Sequence, residues 1–477
     1  MSLFAVHIMV RAFESIGSWG YGVTMEKLFK LKENGTNVKT EVMAGFITFL
    51  SMVYILAVNP SILSAAGMDS GAVFTATAIS AAFATLVMAF YANYPIALAS
   101  GMGLNAYFAY SVCIPMAEAG INDPWQIALA AVLVEGVLFI LLTLCKFRDA
   151  LVNDVPMNLK YGISAGIGLF IAIVGLKSAG IVVADSSTLV ALGSFASPQV
   201  ALALVGLILV GIMYHYHVPG YILWGILATW VLGMIAEAVG WYVPDAAAGV
   251  YSLFPDFSNG INFTAPNLFK FDFSYVTSHF VEFLVIVFSF LFVDLFDTAG
   301  TVIGVASKGG LLDEDGKLPR VKQTLMADAI GTVAGACLGT STVTSYVESS
   351  AGVAAGGRTG LTAVVVAVLF LLALLLSPIF LAIPSFATTP ALVFVGLLMI
   401  SSVTKMDFSE DAAGALGGYL AIIMMPFTYS IANGIMFGIL AYVIIRVFQG
   451  RAKDMHWVMW VAAALFVLRI IMLIFTA

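Results

Sequence analysis

Apolar runs of roughly membrane-crossing length recur along nearly the whole chain. They fall near 42–66, 72–92, 95–115, 125–145, 159–177, 199–215 and 221–240. After a loop carrying Pro244, Pro255 and Pro266 they return near 279–305, 324–339, 345–356, 359–383, 388–402, 416–430 and 434–449. The pattern predicts an all-α polytopic membrane protein of about 14 transmembrane spans. Two spans break the helical pattern. The third holds Pro95 and the run Ser100-Gly-Met-Gly103; the tenth holds the β-prone Thr340-Ser-Thr-Val-Thr-Ser-Tyr-Val347 ahead of Glu348. Such stretches disfavour a continuous helix, and unwound backbone in a bilayer is tolerated only where it is buried or lines a cavity. The third and tenth spans are therefore expected to be interrupted. Each would lead into a half-helix whose exposed N–H groups meet near the midplane, a place to recognise a polar solute.

Polar residues inside the apolar runs change the picture from a membrane protein to one with a site. Asp294 and Asp297 both sit in the eighth span, and each acid at the centre of a membrane helix costs roughly 2.5–3.5 kcal/mol. Spaced i and i+3, they are expected on one helical face, looking into one cavity. The plainer alternative is that neighbouring helices cap both acids and fix packing. Glu348 is expected at the start of the second half-helix, where the dipole favours its ionised form, or else as an N-cap facing loop water. Asn105, in the matching half-helix of the third span, either reads a ligand edge or bonds a neighbouring helix. Glu135, Glu282 and Asp328 read as packing or interfacial groups, and His215 and His217 as interfacial ones.

Composition adds class and topology. The 477 residues are 61% hydrophobic and 10% charged, with a net charge of −7 and a mean hydropathy of +1.04, far outside the soluble range. One membrane domain is expected over 25–477, with residues 1–24 as a loose N-terminal extension. Cys113, Cys145 and Cys337 lack metal-ligand spacing and read as packing residues. No metal or cofactor is expected, and no basic stripe suggests nucleic acid. The basic residues before the first span (Lys27, Lys30, Lys32, Lys39) fall on one side with Lys146, Arg148, Lys160, Lys308, Lys317, Arg320, Lys322, Arg358, Lys405, Arg446, Arg451 and Lys453. The opposite loops are acidic, with Asp69, Glu118, Asp123, Asp185, Asp245 and Asp256; Lys177 and Lys270 are exceptions. The N-terminus is accordingly expected in the cytoplasm. An extra apolar segment, 456–477, fits this parity poorly and either spans or lies along the interface.

Seven spans per half require the halves to insert with opposite orientation, so an inverted repeat is expected, 42–240 against 279–449. Ser100-Gly-Met-Gly103-Leu-Asn-Ala lines up with Ser349-Ser-Ala-Gly352-Val-Ala-Ala, and Gly220-Tyr-Ile-Leu-Trp-Gly225 with Gly434-Ile-Met-Phe-Gly438.

Phe292-Val-Asp-Leu-Phe-Asp-Thr-Ala-Gly-Thr301, Ala97-Leu-Ala-Ser-Gly-Met-Gly-Leu-Asn-Ala-Tyr-Phe108, Gly45-Phe-Ile-Thr-Phe-Leu-Ser-Met-Val-Tyr54 and Ser345-Tyr-Val-Glu-Ser-Ser-Ala-Gly352 together resemble the AzgA-like purine permeases of the nucleobase/ascorbate transporter superfamily. The resemblance runs from about residue 25 to the C-terminus. It implies two inverted seven-span repeats divided into a core (spans one to four and eight to eleven) and a gate. It also implies inward movement of hypoxanthine, guanine or adenine with protons. By the same resemblance Asp294 and Glu348 contact the substrate, with Tyr346 and Val347 beside them. Asp297 is the essential second acid, assigned here to proton coupling, and Asn105 the essential asparagine. The implied partners are a purine nucleobase, protons and the lipid bilayer of the cell membrane; a homodimer is compatible.

The chemistry agrees. Guanine and hypoxanthine present N–H donors and a carbonyl on a neutral ring, which suits carboxylates beside a backbone N–H. Adenine would want Asn105, a protonated acid or a backbone donor opposite N1, so the sequence leans towards hypoxanthine and guanine. An anion transporter of related architecture would be repelled by midplane acids. An intramembrane aspartyl protease would want a Gly-x-Gly-Asp, where this chain has Gly101-Met-Gly-Leu-Asn105. The absence of a phosphate-binding Gly-x-x-x-x-Gly-Lys-Ser/Thr loop points to an ion gradient as the driving force, not ATP and not enzymatic turnover.

Overall fold

The computed structural model describes residues 25–144, 156–245, 250–255, 264–313 and 318–476. The expected N-terminal extension 1–24, Cys145 and the topological charges Lys146, Arg148, Asp256 and Lys317 lie outside the described residues. Among those described, nine helices are long and apolar enough to cross a membrane, from Val38–Ser64 to Ile431–Phe448, with shorter apolar helices between and after them.

In chain order the helices begin with α1 (Met25–Phe29), α2 (Val38–Met52), α3 (Ile55–Ser64) and α4 (Ser70–Val87). The strand β1 (Leu98–Ser100) then leads into α5 (Met102–Ala106), a π-helical stretch at Tyr107–Cys113, and α6 (Ile114–Glu118). Next come α7 (Pro124–Leu144) and α8 (Met157–Ser178), a hairpin of β2 (Val182–Asp185) and β3 (Leu189–Leu192), then α9 (Pro198–His215) and α10 (Tyr221–Ala238). After the loop follow α11 (Ser274–Ser278), α12 (Phe280–Gly309) and α13 (Val321–Leu338). The strand β4 (Val343–Ser345) leads into α14 (Ser349–Ala354). The chain ends with α15 (Gly360–Ala373), α16 (Ser377–Leu381), α17 (Ser385–Ile400), α18 (Ala412–Phe427), α19 (Ile431–Phe448) and α20 (Trp457–Thr476).

Helix starts are set by side-chain caps that satisfy N–H groups a helix leaves open. Asn37 accepts from Thr40 N at 3.0 Å, Asp69 from Ala72 N at 2.7 Å, and Asp411 from Gly414 N at 3.1 Å. Both expected interruptions occur. There the freed backbone of one interruption pairs with that of the other: β1 and β4 are antiparallel, with Leu98 opposite Ser345 and Ser100 opposite Val343. Gly101 N donates to Thr342 O and Tyr346 N to Ala97 O, each at 3.0 Å, so the unwound chain keeps its hydrogen bonds inside the bilayer.

Helices pack in two groups. One joins α2, α4, α7, α12, α13 and α15 around the β1–β4 pair; its interior is rich in buried Ser, Thr, Asn and acids, as small-residue packing in lipid allows. The other joins α8, α9, α10, α17, α18 and α19, where glycines let backbones touch. A Cβ added at Gly162 of α8 would lie 2.3 Å from Gly418 Cα of α18, and one at Gly168 would lie 2.9 Å from Gly396 O of α17. Backbone cannot swing aside, so Gly162→Ala is expected to destabilise by about 1–3 kcal/mol, read as a lower melting midpoint in detergent. Gly304→Ala on α12 meets nothing within 4 Å and serves as the neutral control, since Ala favours helix over Gly. The extra C-terminal segment forms α20 and packs against α12 and α19, so it belongs to the bundle.

Candidate functional site

The two interrupted spans meet α12 at a cavity of about 90 Å3. Its polar wall is made by Gly101–Leu104 at the start of α5, by Tyr346, Val347 and Glu348 between β4 and α14, and by Val293, Asp297 and Thr301 of α12. Its other wall is apolar and comes from the second helix group: Ile167 and Ile171 of α8, with Val395, Leu398 and Met399 of α17. The cavity therefore lies on the seam between the two groups. Two carboxylates line it, and no basic residue does.

Glu348 precedes α14 without capping it: its backbone is helical and its side chain makes no cap bond. The carboxylate instead accepts the Tyr54 hydroxyl at 2.5 Å. That leaves accepting capacity on Glu348 for a solute. The Tyr346 hydroxyl donates to Ser100 O, tying the two interrupted spans together beneath the cavity.

Asp294 is not where the i, i+3 spacing put it. Val293, Asp297 and Thr301 face the cavity, whereas Asp294 is fully buried and absent from the lining. At about 100° per residue, Asp297 lies about 60° to one side of Asp294 and Thr298 about 40° to the other, with Thr301 about 20° away on the cavity side. Asp294 thus sits at the edge of the cavity face, and its burial and its contact with Thr298 assign it to the cluster behind. Thr298 Oγ1 donates to Asp328 Oδ2 of α13 at 2.7 Å, lies 2.7 Å from Thr344 Oγ1, and sits 3.4 Å from Asp294 Oδ1. Asp328 Oδ1 accepts both the Ser345 N–H and the Ser345 hydroxyl at 2.8 Å. Glu135 of α7 is fully buried beside them, with Thr342 Oγ1 at 3.4 Å. The Glu135 and Asp294 carboxyls lie within hydrogen-bond reach of each other, and Glu135 Oε1 and Asp294 Oδ2 find no other partner.

Glu135 and Asp328, read from sequence as packing groups, therefore join Asp294 in a buried acid cluster that grips β4 from behind the cavity. The signal that could have found them is the one that singled out Asp294, an acid within an apolar run. Their shared partners in the 342–345 strand are not visible from spacing. Asn105 also misses the cavity lining. It is fully buried, its Oδ1 accepts the Ser341 hydroxyl, and its Nδ2 is unpartnered. It braces the unwound tenth span, as Asn59 does by donating to Thr77 and Thr340 at 2.7 and 2.8 Å.

A family model described as Permease family matches residues 39–437. The chain is 49% identical to MJ0326 of Methanocaldococcus jannaschii, over 94% of this chain and 98% of that one. It is 44% identical to the guanine/hypoxanthine permease PbuO of Bacillus subtilis (94% and 100%) and 41% identical to the adenine permease AdeP of Escherichia coli (94% and 96%). Among solved structures, the transmembrane domain of the cyanobacterial bicarbonate transporter BicA superposes with a TM-score of 0.61 at 16% identity, covering 83% of this chain and 97% of that one; this likeness is one of fold.

Proposed function

The chain belongs to the nucleobase/ascorbate transporter family of permeases, and from that premise we propose that it imports purine nucleobases, hypoxanthine and guanine before adenine, by proton symport. The observation that carries this reading is the seam cavity with two carboxylates on its polar wall and no cation among its lining residues. Glu348 and Asp297 accept N–H donors of a flat neutral ring. The open N–H groups at the start of α5, Met102 to Leu104, meet its carbonyl. An anion would meet two negative groups there, which argues against bicarbonate-like cargo despite the shared fold.

In this reading the polar group of helices is the core and the glycine-packed group the gate, arranged as two inverted seven-span repeats. Movement of one against the other exposes the seam alternately. The protein sits in the cell membrane with its N-terminus in the cytoplasm, as the Lys and Arg distribution favours. Glu135, Asp294 and Asp328 hold the coupled proton, because carboxylates this close and this buried are costly to ionise together.

The test is uptake of labelled hypoxanthine, guanine and adenine into proteoliposomes. Accumulation is expected to follow an imposed inward proton gradient and to collapse with a protonophore. Uptake that survives the protonophore and follows a sodium gradient would overturn proton coupling, and clear preference for adenine would reverse the substrate order.

A further inference from the structure

A second and larger cavity, about 250 Å3, opens near the other end of α12. It is lined by Tyr107 and Ser111 of the π-helical stretch, Tyr275 of α11, Glu282 of α12, Ser430 and Arg469 of α20. Arg469 is the sole basic group in the lining, and its Nη1 is buried with no hydrogen-bond partner; Ser111 Oγ is buried and unpartnered too. A guanidinium in an apolar helix without a partner is costly, and its usual reason is a ligand or an ion path. Glu282 accepts the Tyr275 hydroxyl, and the Tyr275 ring is held flat against His279 at 4.3 Å.

The two cavities lie in line. Along α12 the order is Glu282, then Phe290, then Asp297; along the third span it is Leu104 at the inner cavity and Tyr107 at this one. Between them Tyr107 and Phe290, both buried, meet edge to face with centroids 4.7 Å apart. The larger cavity is thus shut off from the inner one by an aromatic pair. By the charge distribution that puts the basic loops in the cytoplasm, it faces outside.

We propose that this cavity is an outer recognition site in which Arg469, helped by Ser111, takes the O6/N7 edge of an oxopurine and so selects guanine and hypoxanthine over adenine. The inference rests on the purine-transport reading and deepens it. A guanidinium matches the two adjacent acceptors of guanine or hypoxanthine, whereas adenine puts its N6 donor where the guanidinium also donates. The Glu282 carboxylate beside it favours a neutral ring that also carries N–H donors over a phosphate, which it would repel. Tyr275 supplies a ring of the kind on which bases stack.

The test is initial-rate uptake of the three purines by full-length wild type, Arg469→Gln and Ser111→Ala in proteoliposomes of neutral lipid. For Arg469→Gln the half-saturating concentration of guanine and hypoxanthine is expected to rise about tenfold, with adenine unchanged within about twofold. Ser111→Ala, a smaller change at a site with no partner to lose, should shift the oxopurines in the same direction and decides the matter if the arginine variant fails to fold. An equal shift for all three purines, or none, overturns the proposal. So does an Arg469 effect that appears only when anionic lipid is added, which would mark a lipid headgroup site. Wild type that carries none of the three would instead sink the transport reading itself.

Discussion

Glu348→Gln is expected to weaken purine binding roughly 10- to 100-fold, the loss of a charge-assisted hydrogen bond of about 1.5–3 kcal/mol. The amide replaces one accepting oxygen with a donor. That donor faces either the ring's N–H groups or the Tyr54 hydroxyl, which now donates to Glu348 at 2.5 Å. Because the side chain does not cap α14, the substitution leaves the helix start alone, so folding should be preserved and the effect should appear in affinity. Tyr54→Phe is the companion variant: it frees the carboxylate from its one side-chain donor, and the expected loss is smaller, since the charge that meets the solute is kept. Titration calorimetry of both variants with hypoxanthine checks the pair. Wild-type affinity in Glu348→Gln would remove the seam cavity as the binding site.

How much of this was legible in the sequence depends on which interactions are local. Helix positions follow from runs of apolar residues, so α7 and α19 fall within a few residues of the expected 125–145 and 434–449. The interruptions are equally local, set by Pro95, the Ser-Gly-Met-Gly run and the β-branched 340–347 stretch. That the two extended pieces pair with each other, Ser100 against Val343, is a contact between residues more than 240 apart and no spacing rule contains it. The β2–β3 hairpin went unpredicted because it is short; its turn is held by Asp185, which accepts the N–H of Ser187 and Thr188 at 2.8 and 2.9 Å. Those bonds, on an exposed loop, hold the Asp185 carboxyl below its ordinary range. The face of Asp294 was the hardest part. Helical geometry allowed two acids at i and i+3 to share a cavity, but the packing of α13 against α7 claimed one of them.

Asp294→Asn and Asp297→Asn are expected to separate the two functions of α12. Asp297 lines the cavity with Glu348, so Asp297→Asn should weaken binding by roughly tenfold or more, through a donor turned towards a ligand rich in donors. Asp294 lies behind, beside Glu135 and near Thr298. Asn there keeps the shape and removes a titrating group, and binding should stay within roughly threefold of wild type, under 1 kcal/mol. Proton-driven accumulation, in contrast, should fall to near the level of equilibration, because the cluster can no longer cycle between the same proton counts. The link between cluster and cavity is β4: Asp328 holds Ser345 at its backbone and side chain, and three residues on the same segment carries Glu348. On the proposed mechanism, a proton arriving on the cluster changes what grips the strand, and the strand positions the acid proposed to meet the purine. Calorimetry and vesicle uptake on both variants decide between this order and the reverse one that the family resemblance implied. Lost affinity in Asp294→Asn with intact affinity in Asp297→Asn would put Asp294 back at the solute. Equal loss in both would make the acids of α12 one coupled unit that shares the solute and the proton.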